Sequence, residues 1–196
     1  MRKSKSRYLY VLAALVSLSA HGEADARQLT SLITELDQIP RVRPEFKVPD
    51  EPNQLFYVER SVNSNTVVYA ARLDAHSAIN PKTPVDAFWR WYNVDGHKKD
   101  LNFVERIMAY GVRANPPRPN QPVTFTIAAL PERTLTLDLD DHKHPEALIQ
   151  IGGHMVKLAY VYLEVVDGIV PSVPSFDIFG TDMASGKAVR EHVVQN

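Results

Sequence analysis

Asp140-Asp141-His142-Lys143-His144-Pro145-Glu146 holds the most metal-like spacing in the chain. Strand side chains repeat every two residues, so extended backbone here turns Asp140, His142 and His144 to one side. Two imidazoles and a carboxylate converging on one face form a donor set that zinc, iron or manganese accepts. A divalent metal is thus the one cofactor the sequence offers, and a metal-dependent hydrolase or a cupin-like enzyme is the chemistry it would support. The framework around the pair is incomplete. Cupins place their glutamate several residues further on, whereas Glu146 follows after a single proline, and the expected upstream glycine is missing. A solvated, acidic hairpin loop would use the same residues without a metal. Asp138, Asp140 and Asp141 also lack the glycine turn and distal bidentate glutamate of an EF-type calcium loop.

Two other groups of residues carry binding chemistry. In Phe88-Trp89-Arg90-Trp91-Tyr92, Trp89 and Trp91 share one face of an extended segment, and exposed aromatic platforms stack on sugar rings. Phe88 and Tyr92 occupy the opposite face, which is the pattern of a strand covered on both sides, and large aromatics gain more from burial. Core packing is therefore the expected use. Arg60, Arg90, Glu105, Arg106 and Tyr110 stand among apolar residues. One use for them is a buried arginine–carboxylate pair, since an unpaired charge there is costly. The other is a pocket in which arginine holds an anionic ligand through its planar fork.

No catalytic motif accompanies these groups. G-x-S-x-G, S-x-x-K, H-E-x-x-H, the P-loop and G-x-G-x-x-G are all absent. No residue is assigned a catalytic role, and the reading leans away from an enzyme. Asn63-Ser64-Asn65-Thr66 is turn chemistry, asparagine tolerating left-handed backbone.

The elements that must position these residues read mostly as strands. Leu29, Leu32, Ile33 and Leu36 fall at i, i+3, i+4 and i+7, which predicts a short N-terminal helix. Pro40, Pro44, Pro49 and Pro52 then make residues 39–53 an extended arm. Strand patterns follow over 55–60, 66–73, 85–94, 123–130, 133–140, 147–151, 154–166, 175–180 and 187–194. Gly152-Gly153 marks a two-residue hairpin, and Pro131-Glu132 marks a turn. Asp100 is placed to cap one internal helix over about 101–110, with Gly111 as its terminator and a broad buried face. Residues 115–122 are too rich in proline for a sheet interior. About nine strands in antiparallel hairpins close most naturally as a β-sandwich, so the fold class is mostly β.

Residues 1–26 read as an export signal. Arg2, Lys3, Lys5 and Arg7 precede an apolar run, Tyr8–Ala20, and Ala24-Asp25-Ala26 offers a small-x-small cleavage site. The run is short for a spanning helix, and no later stretch is long and apolar enough, so no membrane span is expected after cleavage. The domain organisation is then a signal at 1–26, a helix and proline-rich arm at 27–53, and a single β-sandwich domain at 54–196. The 196-residue chain has a formal net charge of −1, and losing the basic leader makes it slightly more acidic. Such a charge gives no electrostatic reason to bind nucleic acid. With no cysteine, disulfides, thiolate metal sites and lipoprotein anchoring are excluded, and stability must come from the core. The placement expected is exported, either periplasmic or secreted.

Several short motifs, taken in order, resemble a known family. Phe56, Tyr57 and Arg60 fit an FY-x-x-R pattern; Asn63, Asn65, Thr66 and Tyr69 fit the turn and strand after it. Trp89, Trp91 and Tyr92 fit an aromatic strand. Leu101, Asn102, Glu105, Arg106, Ala109, Tyr110 and Gly111 fit a following L-N-x-x-E-R-x-x-A-Y-G pattern. Gly180, Asp182, Ser185, Gly186, Lys187, Val189 and Glu191 fit a closing tail. Over roughly residues 54–193 the chain resembles the exported proteins known only as domain of unknown function 4833. The resemblance implies export and one domain but no activity. The expected function is a non-catalytic β-sandwich that binds an unknown ligand or a cell-envelope partner. A metal-dependent enzyme using Asp140, His142 and His144, and a purely structural envelope protein, are the alternatives.

Overall fold

The computed structural model describes residues 29–80, 82–115, 122–166 and 172–195, nearly all of them in or between strands. The order is β1 (Leu29–Leu36), β2 (Gln54–Arg60), β3 (Asn63–Ala71), β4 (Val85–Arg90), β5 (Lys98–Asp100), α1 (Phe103–Met108) and β6 (Val112–Ala114). It continues with β7 (Val123–Ile127), β8 (Leu130–Leu139), β9 (Pro145–Ile151), β10 (His154–Val166), β11 (Ser172–Asp182) and β12 (Ala188–Gln195). The proposed leader lies outside the described residues, as does most of the proline-rich crossing. Among the described residues no helix is long and apolar enough to cross a membrane.

One sheet holds every strand among the described residues, which corrects the expectation of a sandwich. Its continuous path runs β5-β4-β3-β2-β10-β9-β8-β7-β6, with β11, β12 and β1 branching from β10. The length of β10 explains why no second sheet separates. One edge of its 13 residues pairs antiparallel with β9 over His154–Lys157 and then parallel with β2 over Tyr160–Leu163. Its other edge carries β11. Hairpins on either side of β10 therefore stay joined through it. The sheet curls until its ends approach, so β4 comes near β6 without a ladder between them. The result is an open half-barrel.

Inside the curl lies one apolar core. Phe56, Val67, Tyr69, Phe125, Leu137 and Ile151 are almost wholly buried there, and the Phe56 and Tyr69 rings stack at 4.4 Å. The outer face of β2, β10 and β11 carries a second cluster. Tyr57 stacks on Tyr160 at 5.3 Å and Tyr160 on Phe179 at 4.5 Å. The proline-rich arm crosses this ladder. Tyr160 donates its hydroxyl hydrogen to the Pro40 carbonyl at 2.6 Å, and Arg41 Nη2 pairs with buried Glu59 at 2.7 Å. Burial pushes the Tyr160 phenol up to about 12.

The N-terminal segment is a strand where the apolar spacing predicted a helix. β1 pairs antiparallel with β12 from Leu29↔Gln195 to Leu36↔Ala188. Leu32 stays 66% and Ile33 40% exposed, so the apparent helical face buries little. The free main-chain edge of β12 is a stronger partner than that stripe, and Thr30, Ile33 and Thr34 are β-branched. The internal helix is present but shorter, and it is not the buried element expected. None of its residues is buried, and Phe103 is 76% exposed. Its N-cap is Asn102, since Asp100 ends β5. Asn102 Oδ1 accepts from the Glu105 N–H at 2.9 Å while Glu105 Oε2 accepts from the Asn102 N–H at 2.8 Å. That reciprocal pair satisfies two of the free donors at the helix start.

Candidate functional site

The ends of the curled sheet determine where a ligand could enter. β5 pairs only with the second half of β4, from Phe88↔Asp100 to Arg90↔Lys98. Among the described residues the first half, Val85–Ala87, keeps a free edge that looks toward β6, whose own outer edge is also unpaired. An unpaired strand edge presents main-chain donors and acceptors. Between these edges lies a cavity of about 310 Å³, open to solvent. Val85, Ala87, Val112 and Ala114 give it apolar walls, and Arg72, Lys82, Asp86 and Arg106 bring charge to it. Its size falls in the range of small-molecule sites, roughly 300–1,000 Å³.

The charges do not cancel evenly. Arg72 Nη2 lies 2.9 Å from Asp86 Oδ1 and Lys98 Nζ lies 3.3 Å from Asp86 Oδ2. Burial alone would raise the Asp86 carboxyl, but these two cations outweigh it and hold the group below the usual aspartate range. Asp86 is thus fully engaged. Arg106 donates from Nε to the Leu101 carbonyl at 3.1 Å, which fixes the guanidinium plane. Among the described residues neither Arg106 nor Lys82 has a carboxylate partner. Gly111 sets the path beneath Arg106. A Cβ there would lie 1.8 Å from the Arg106 carbonyl oxygen, so only glycine lets the chain turn from α1 into β6 this closely.

Of the candidate binding and metal residues named from the sequence, Arg106 alone lines this cavity. Arg60 and Tyr110 disappear into packing beside it. Arg60 is 5% exposed and its guanidinium lies 4.5 Å from the centre of the Trp89 ring. It donates from Nη2 to Asn63 Oδ1 at 2.9 Å, and its buried Nε has no acceptor among the described residues. Trp89 meets Tyr110 edge to face at 5.2 Å. Burial raises the Tyr110 phenol, with the Arg60 charge opposing it. The expected buried pair of an arginine with Glu105 is not formed among the described residues, because Glu105 is committed to the capping box. The Trp89 face is what replaces a carboxylate beside Arg60.

Arg90 serves the arm instead. Its Nε and Nη2 grip the two oxygens of Glu51 at 2.5 and 2.6 Å, a two-pronged contact that ties the arm to β4. Trp91 is half-buried against the core, with Lys99 Nζ 3.7 Å from the centre of its ring. Trp89 is 5% exposed, so the two indoles form no open platform. At the β8–β9 turn, Asp140 Oδ1 accepts from the N–H groups of His142 and His144, each at 2.8 Å. His144 Nδ1 is 3.3 Å from Asp140 Oδ2, and the two imidazole rings are 6.1 Å apart. Asp140 is drawn inward as the turn's acceptor, and its carboxyl is lowered chiefly by the His144 N–H. Among the described residues no three acidic or histidine side chains converge as a metal site.

Arg72, Lys82 and Asp86 escaped the reading of the sequence. Asp86 interrupts an apolar run and Arg72 follows one, which is the only local signal. Their meeting depends on the β3–β4 register, Ala70↔Asp86. The closing tail of the motif series builds the β11–β12 turn. Asp182 accepts from the Ala184 N–H at 3.0 Å and the Ser185 hydroxyl at 2.8 Å, and these bonds lower its carboxyl. Glu191, buried, pairs with Arg133 at 2.6 Å.

The model of one family, described as domain of unknown function (DUF4833), matches residues 56–192. That stretch runs from β2 to β12 and includes both lips of the seam. No curated protein and no solved structure matches the chain.

Proposed function

The chain belongs to the DUF4833 family, a family with no assigned activity, and on that premise we propose that it is an exported, non-catalytic protein whose β4–β6 seam receives a small ligand. The observation that carries the reading is the cavity itself. A sheet that closed fully would pair Val85–Ala87 with Val112–Ala114; among the described residues this one leaves both edges free and places between them partly apolar walls and two cations, Lys82 and Arg106, that no described carboxylate answers. Of the three arginines in the candidate set, Arg60 serves packing and Arg90 serves the arm, so Arg106 is the one left to meet a ligand. A thermal-shift screen of a polar metabolite library against the protein and an Ala114→Trp variant tests the idea. An indole at position 114 should fill the seam, and compounds that stabilise the natural protein should lose that effect. Hits that stabilise both proteins equally would overturn it. A library with no hits would favour a purely structural envelope role. The metal-dependent alternative is separated by metal analysis of protein purified without chelator. Stoichiometric metal that vanishes in a His142→Ala, His144→Ala double variant would support it.

A further inference from the structure

Taking the seam as the ligand site, we infer that its ligand is a small organic oxyanion, a carboxylate or a phosphate ester with a small apolar part. Two observations meet in this inference. The first is the charge pattern. Among the described residues Asp86 is the one acid lining the cavity, and it is held by Arg72 and Lys98 at 2.9 and 3.3 Å. Lys82 and Arg106 therefore add two positive charges that no described carboxylate answers. The Arg106 fork is held in plane by its bond to the Leu101 carbonyl, which leaves its terminal nitrogens to meet a planar or tetrahedral oxyanion in two-pronged fashion. The second is the wall. Val112 and Ala114, half-buried beside the buried Val85 and Ala87, offer a small apolar surface that an inorganic ion would leave uncovered, and the organic part of a ligand would remove it from water. A neutral ligand would strand the cations, and a cationic one would be repelled.

Backbone amide chemical-shift titrations with benzoate, phenyl phosphate, benzamide and inorganic phosphate test the class. Benzoate and phenyl phosphate should move the amides of Val85–Ala87 and Val112–Ala114, with affinity falling as salt rises. Benzamide, the uncharged counterpart, should bind about tenfold more weakly, the scale of one charge-assisted hydrogen bond. Arg106→Gln and Lys82→Gln should each cost the anions a similar factor and benzamide little, with amides elsewhere unmoved as a check on folding. Equal affinity for benzamide and benzoate would overturn the class. So would inorganic phosphate matching phenyl phosphate, or neither anion moving the seam amides. None of these outcomes decides whether the seam is the ligand site, which the Ala114→Trp screen judges independently.

Discussion

At the scale of single residues, the pair Arg41–Glu59 carries the clearest electrostatic consequence. Glu59 has no exposed surface, its Oε2 has no hydrogen-bond partner among the described residues, and Arg41 reaches it from the arm. Burial raises its carboxyl above the ordinary glutamate range, and the Arg41 charge only partly offsets this. A carboxyl whose folded value is raised binds its proton more tightly in the folded state. Its contribution to stability is present below the unfolded value and is lost as pH rises through the folded one. Glu59→Gln removes that loss, so the variant should gain on the natural protein between about pH 4 and pH 7, read from urea midpoints across that span. A variant that loses ground over the same range would show that Arg41 outweighs burial. Arg41→Ala strands the carboxylate and should cost about 3 kcal/mol near neutrality, and less under acid conditions that protonate Glu59. Arg60 shows the other way to bury a charge. It rests on an indole face, which composition does not reveal, and among the described residues it has no carboxylate partner.

At the scale of elements, the turn from α1 into β6 links local backbone to the proposed site. Gly111→Ala would drive a methyl into the Arg106 carbonyl, so either α1 or β6 must shift. We expect a loss of about 2 kcal/mol, the scale of an overpacked site, together with loss of any ligand-induced stabilisation. Gly186→Ala is the contrast. Its φ is +71° with no atom within 4 Å of the added Cβ, so only backbone strain applies, about 1 kcal/mol, and ligand effects should survive. Paired denaturation curves and thermal shifts check both. Elements also show what the residues could and could not reveal beforehand. The Gly152-Gly153 hairpin was legible because two glycines at positive φ are a local requirement. The turn between β7 and β8 falls at Ala128-Ala129 rather than Pro131-Glu132, because a proline fits the start of a strand as well as a turn. The apolar stripe of β1 has no core to meet, so pairing with β12 and not its spacing decides its form. The seam was illegible for a like reason. Nothing local joins Val85 to Val112, and the cavity exists only because β5 stops short on β4.

At the scale of the whole molecule, the mostly-β class followed from the density of β-branched and aromatic runs. Whether such runs form two layers or one curled sheet depends on a single long strand, β10, that holds different neighbours along one edge. Export belongs to this scale as well. If the leader is removed after Ala26, N-terminal sequencing of protein recovered from outside the cytoplasm should begin at Arg27. An N-terminus at Met1 would contradict cleavage. The half-barrel is nevertheless the claim on which the ligand proposals stand. Hydrogen exchange resolved by residue tests it directly, because paired and unpaired edges differ in protection. The outward-facing amides of Val112–Ala114 and the free half of β4 should exchange early, while β2, β3 and β10 stay protected. Slow exchange at both lips of the seam, matching the sheet interior, would mean that β4 and β6 are joined and that there is no opening to bind anything.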